Sequence, residues 1–128
     1  MSESVLTSNQ SDHAVKQVRR YYDLVDRGDV LGLVNLFTDE AVYCRPGYEP
    51  LVGHRDLTRF YEADRVIEEG RHTLVELVAD ASSVAVKGEF NGRLKDGRQV
   101  SLRFADFFTL DASLRFARRD TYFFAPMV

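Results

Sequence analysis

The sequence has one cysteine, three prolines and no tryptophan. Cys44, being alone, rules out an intramolecular disulfide framework and leaves no thiolate cluster for structural zinc; it reads as a small buried apolar residue, and no metal site is expected. Basic runs are missing too. Seventeen Lys and Arg stand against twenty Asp and Glu, a net charge of -3, and a nucleic-acid partner needs clustered cations that displace counterions. No apolar stretch approaches the roughly 18 residues of a membrane span, and the polar N-terminal segment does not read as a signal peptide. The expectation is a cytoplasmic chain with neither a nucleic-acid nor a membrane partner.

What is present is an ordinary globular composition, 45% hydrophobic and 29% charged over 128 residues. That length suits a single domain able to bury roughly two-thirds of its unfolded surface without staples. Aromatic residues are the first bias. Of nine Phe and six Tyr, seven fall between Phe104 and Phe124, which builds either a dense core or an apolar pocket wall.

Residues 1–11 are small and polar and read as a disordered tail, with one domain over residues 12–128. Ser11 or Asp12 can cap a helix whose Val15, Val18, Tyr22 and Val25 recur at spacings of three and four, and Gly28 is placed to end it. A short helix follows Asp29, with Val30, Leu33, Val34 and Phe37 on one face. Residues 41–45 read as a strand, and the Pro- and Gly-rich stretch after it as a loop. A third helix is expected from about Arg55 to Glu69, stopped by Gly70. Four strand-like segments then run to Phe124, with Asp96-Gly97 signalling a hairpin. Three helices followed by strands predict an α+β fold, its helices on one face of a strongly curved, mostly antiparallel sheet that leaves a cone-shaped internal pocket.

Three segments carry a resemblance over nearly the whole chain: RYYDLVDRGDVLGLVNLFTDEAVY at 20–43, PGYEPLVG at 46–53 and RFYEADRV at 59–66. With the last strand pair, they make the sequence similar to the NTF2-like superfamily, nearest its ketosteroid-isomerase and SnoaL-like branches. That fold hosts isomerases, cyclases, dehydratases, epoxide hydrolases and binding domains. The resemblance implies a cofactor-independent enzyme that stabilises an enolate-like oxygen on a small hydrophobic, ring-bearing carbonyl compound, and a homodimer formed through the sheet. The alternatives are a non-catalytic small-molecule-binding domain and an epoxide hydrolase of the same fold.

By that resemblance, Tyr21 and Asp106 take the places of the isomerase tyrosine and of its neutral, proton-donating aspartic acid, and Tyr61 that of a supporting tyrosine. The isomerase base does not match: its place before Pro46 is held by Arg45, which cannot accept a proton but can bind a ligand carboxylate or phenolate. Asp106, among Phe104, Phe107 and Phe108, is either a neutral donor or the partner of Arg45, Arg103 or Arg119. Tyr21 and Tyr22 point about 100° apart on a helix, so one of them is expected to face the pocket.

Base candidates, in order, are Glu89, Asp120 and His72. A two-residue hairpin at Asp96-Gly97 would pair 87 with 106 and 89 with 104, placing Lys87 and Glu89 on the face of Asp106; one bulge would turn both outward. Asp120 resembles the last-strand aspartate of SnoaL-like cyclases and can equally bridge to Arg118 or Arg119. His72 is a base near neutral pH or a packed strand residue. Phe104 and Phe108, with Lys87, His72 and Arg45, are the expected substrate-binding residues.

Overall fold

The computed structural model describes residues 2–125, with side chains from Asn9 onward. Helix α1 (Ser2–Arg27) leads into α2 (Val30–Val34), strand β1 (Phe37–Cys44), the two-residue β2 (Leu51–Val52) and α3 (Gly53–Arg59). A π-helical turn, Phe60–Asp64, joins α3 to the long strands β3 (Ile67–Asp80), β4 (Ser83–Leu94), β5 (Gln99–Leu110) and β6 (Phe116–Phe124). The six strands form one curved, open sheet in the order β2-β1-β6-β5-β4-β3, with β1 and β6 parallel and every other neighbour antiparallel. This is the expected α+β arrangement.

α1 begins upstream of the cap expected at Ser11 or Asp12; the Ser11 hydroxyl instead accepts the Ala81 backbone N–H at 2.9 Å. The expected tail falls partly on Met1 and on the side chains of residues 2–8, which lie outside the described set. Ala14, Val18, Tyr21, Tyr22 and Val25 are buried, one face at spacings of three and four. The helix closes as foreseen at Gly28: its N–H meets Val25 O at 3.0 Å and Asp29 N meets Leu24 O at 2.9 Å, the paired bonds of a Schellman end. Asp29 then caps α2, its carboxylate accepting Gly32 N–H at 2.9 Å.

Three sequence expectations fail here. The second helix ends at Val34, so Phe37, expected on its face, opens β1 ahead of the strand expected at 41–45. The third helix stops at Asp64 rather than near Glu69, and Ile67–Gly70 pair with β4, so Gly70 lies inside a strand. The β4–β5 turn is also one residue longer than a two-residue hairpin. Leu94 N–H bonds Arg98 O, Gly97 takes φ +92°, and Arg93 pairs with Gln99. That shift opposes Val86 to Asp106 and Gly88 to Phe104.

On the concave face the Phe104 ring lies across Gly88, where an added Cβ would sit 2.6 Å from the ring and 2.8 Å from Thr73 O. Alanine normally suits a strand interior better than glycine. Here Gly88→Ala is expected to lower stability by about 1–3 kcal/mol through overpacking. A urea denaturation midpoint at or above that of the wild type would contradict that packing.

Candidate functional site

Four elements aim polar side chains at the middle of the concave face: Tyr21 and Tyr22 from α1, Tyr43 from β1, Asp106 from β5, and Arg119 and Thr121 from β6. All six are buried, Asp106 completely. Arg119 Nη2 donates to Asp106 Oδ2 at 2.8 Å. The Tyr22 hydroxyl donates to the same oxygen and the Thr121 hydroxyl to Oδ1. Three donors thus converge on the carboxylate, one of them charged, so Asp106 acts as an acceptor. This corrects the expectation of a neutral, proton-donating Asp106, and of its three suggested partners the structure selects Arg119.

Arg119 is the hub, and sequence reasoning named it only as a possible partner. Its Nη1 donates to the Tyr21 hydroxyl and, at 3.2 Å, to that of Tyr61. Its guanidinium lies 4.7 Å and 4.4 Å from the ring centres of Tyr21 and Tyr43. Burial opposes its charge, but Asp106 and the phenols of Tyr21, Tyr43 and Tyr61 outweigh that and hold its pKa well above the ordinary value. Burial also raises the pKa values of Tyr21, Tyr22 and Tyr61, with Arg119 pulling the other way in each. The phenols therefore stay neutral donors.

Proton counting orients the network. Tyr21 and Tyr61 share one hydroxyl–hydroxyl bond. Tyr21 is 1% exposed, and of the two groups its hydroxyl meets, Arg119 and Tyr61, Tyr61 alone can accept; a buried hydroxyl without an acceptor is costly, so Tyr21 donates to Tyr61. Thr121 has one proton, directed at Asp106, so Tyr43, 3.2 Å away, supplies the proton of their bond. Both tyrosines of the Tyr21-Tyr22 pair enter the network, where one had been expected. Tyr43 and Thr121 went unrecognised; their signal was strand alternation with β1 and β6 in register.

The remaining sequence-selected residues separate. Arg45 does not pair with Asp106; it donates to Tyr43 OH at 3.1 Å and packs among the rings of Tyr43, Tyr48, Phe60 and Phe123. Phe104 and Phe108 are buried against Tyr22. Lys87 and Glu89 are exposed on the convex face, because the longer hairpin shifts the register by one residue. Asp120 bonds Arg118 at 2.9 and 3.0 Å, away from the cluster. Its facing follows from a bulge at Ala117: Phe116 pairs with Leu110 but Arg118 with Thr109. The extra residue turns Arg119 inward and Asp120 outward. His72 points inward against Tyr22, Phe90 and Phe104, with Nδ1 2.6 Å from Asp26 Oδ1.

Tyr61, which is bonded to Tyr21 and Arg119, also lines a cavity of about 450 Å³. The π turn carries Tyr61 there: Arg65 N–H reaches back five residues to Phe60 O at 2.8 Å, a wider loop than an α-helix makes. Buried Val25 and Leu33 line the cavity with Val30 and Ile67, and Asp26, Glu62, Arg65, Glu68, Glu69 and Lys95 add charge. The lining is more polar than the apolar wall expected. Among the described residues no His, Cys, Asp and Glu group is arranged to hold a metal ion, and no helix is long and apolar enough to cross a membrane.

The fold has solved counterparts. The epoxide hydrolase/cyclase-like enzyme SalBIII, described in pyran ring formation in polyether salinomycin, is 21% identical with a TM-score of 0.79, over 90% of this chain and 94% of that one. An NTF2-like protein of unknown function from Burkholderia pseudomallei is 18% identical with a TM-score of 0.80, over 88% and 91%. An LEH-like epoxide hydrolase from M. tuberculosis is 16% identical with a TM-score of 0.77, over 89% and 84%. No curated protein matches the sequence. The SnoaL-like domain model matches residues 18–118. Through that match, and with the fold those structures share, the chain belongs to the SnoaL-like domain family of the NTF2-like superfamily.

Proposed function

We propose that the protein is a cofactor-independent enzyme that acts on a small ring-bearing carbonyl compound by stabilising an enolate-like oxygen. The observation that carries this reading is the Tyr61 hydroxyl. Its oxygen is bonded to both Tyr21 and Arg119, and with Tyr21 as the donor its own proton is left for a group in the cavity that Tyr61 lines. A neutral donor backed by a buried cation meets negative charge as it forms on a substrate oxygen. The isomerisation, cyclisation or dehydration that follows depends on where the substrate carries its leaving group or double bond.

Asp106 then serves to hold Arg119 rather than to touch substrate, and Arg45 orients Tyr43 rather than the ligand. The reading extends to a homodimer through the convex face, where Phe107, Tyr122 and Phe124 are 51%, 57% and 67% exposed. Epoxide opening is a second reading. The carboxylates Asp26, Glu62, Glu68 and Glu69 line the same cavity as Tyr61, which supports water attack on an oxygen-protonated ring.

Fluorescence titration with a naphthol, a stable enolate mimic, tests the proposal. Wild type is expected to bind it, and Tyr61→Phe to weaken binding roughly ten- to a hundredfold, the worth of one hydrogen bond to a charged group. Affinity indifferent to Tyr61 would favour a binding domain that has only the fold in common. Labelled oxygen from water appearing in a diol would favour the epoxide reading.

A further inference from the structure

Both carboxylates expected as the leading base candidates, Glu89 and Asp120, lie away from the cluster. The cavity beside Tyr61 offers another. Asp26, on the last turn of α1, lines it from a different wall than Tyr61. Both of its oxygens are held by one residue: His72 backbone N–H donates to Oδ2 at 2.9 Å, and His72 Nδ1 lies 2.6 Å from Oδ1. The Asp26 and His72 side chains are 23% and 11% exposed. Other carboxylates on this cavity are less restrained: Glu69, 69% exposed, pairs with Arg93, and Glu62 and Glu68 stand in solvent. A general base has to be fixed within reach of its proton, and a third group that orients it is the usual device.

Resting on the enolate-stabilising reading, we infer that Asp26 is the base of this site and His72 its positioning residue. The Asp26 carboxylate takes a proton from the carbon beside the carbonyl. The C–H pair becomes the enolate double bond, and the carbonyl π pair moves onto oxygen, where the Tyr61 proton meets it. The Asp26 carboxylic acid then returns a proton to carbon, regenerating carboxylate. Each oxygen of Asp26 keeps a lone pair free of His72 for this exchange. His72 thereby enters the site by orienting a carboxylate.

The test uses the full-length protein with 1-indanone and 2-tetralone in deuterated water, following loss of the α-proton signals by NMR, with naphthol titration in parallel. Wild type is expected to accelerate exchange. Asp26→Asn is expected to slow it by about a hundredfold or more while naphthol affinity stays within roughly threefold, since Tyr61 is intact. As a check on positioning, His72→Gln, which keeps a side-chain donor, is expected to retain more exchange than His72→Leu at equal naphthol affinity. Exchange by Asp26→Asn within about threefold of wild type would overturn the assignment, as would a wild type that binds naphthol but exchanges neither ketone. A wild type that does neither would defeat the enolate-stabilising reading, and the base with it.

Discussion

Asp106→Ala is expected to lower stability by about 3–5 kcal/mol, the cost of stranding one charge of a buried pair. The Arg119 side chain is 6% exposed and Asp106 0%, so water cannot replace the lost carboxylate. Removing Asp106 also deprives the Tyr22 and Thr121 hydroxyls of their acceptor, and buried donors without partners add to the loss. Removing both charges reverses part of it. Asp106→Leu with Arg119→Met is expected to be more stable than Asp106→Ala alone, because an apolar pair of similar volume avoids the desolvation penalty. Urea unfolding of wild type, single and double variants measures both effects. A single variant within about 1 kcal/mol of wild type would mean that the guanidinium has other support. The same comparison bears on interpretation of activity: a low rate in Asp106→Ala reports a disturbed fold, whereas Tyr61→Phe leaves the ion pair in place.

Phe116→Ala has an expected cost of similar size, about 3–5 kcal/mol. Phe116 is fully buried, with ring centres 4.8 Å from Phe108, 5.1 Å from Phe37 and 5.9 Å from Tyr21. It joins the parallel β1–β6 seam to the helix that carries Tyr21, and its backbone N–H bonds Leu36 O at 2.8 Å. Truncation leaves a cavity that rigid strands cannot fill and frees the Tyr21 ring to shift. The Tyr21–Arg119 contact is therefore expected to loosen along with the fold. A urea midpoint shift worth under about 1 kcal/mol would show that the neighbouring rings collapse into the space.

Element order was legible because it rests on local patterns: the α1 face, the Gly28 stop, the Asp29 cap and the alternation of the last strands. The third helix was misread from Arg65 onward. Leu57, Phe60, Tyr61, Asp64 and Ile67 keep helical spacing, and only the pairing of Ile67–Gly70 with β4, a long-range contact, draws the chain into a strand. In the candidate site, Tyr21, Tyr61 and Asp106 were singled out by resemblance, and Arg119 is the side chain that bonds all three. Tyr43 and Thr121 were passed over, and Arg119 and Tyr22 stood only as alternatives, because their facing depends on register across strands, or on a helix face broad enough to bury two adjacent tyrosines. Lys87 and Glu89 were misplaced for a related reason: one more residue in the turn reverses every side chain of a strand.

The extra residue at Ala117 decides which charged side chains of β6 face the fold's interior. β6 reads Arg118-Arg119-Asp120, an alternation of cation, cation and anion, and the bulge decides the parity with which that triplet meets the concave face. With the parity found here, Thr121 stands opposite Asp106, the Arg119 guanidinium reaches its carboxylate, and the pair is neutral. The other parity would send both Arg118 and Asp120 inward, setting a second carboxylate near Asp106 with one guanidinium for the two. One small residue in β6 thus decides which members of the Arg118-Arg119-Asp120 triplet face the interior, with no change in the residues that carry the charge.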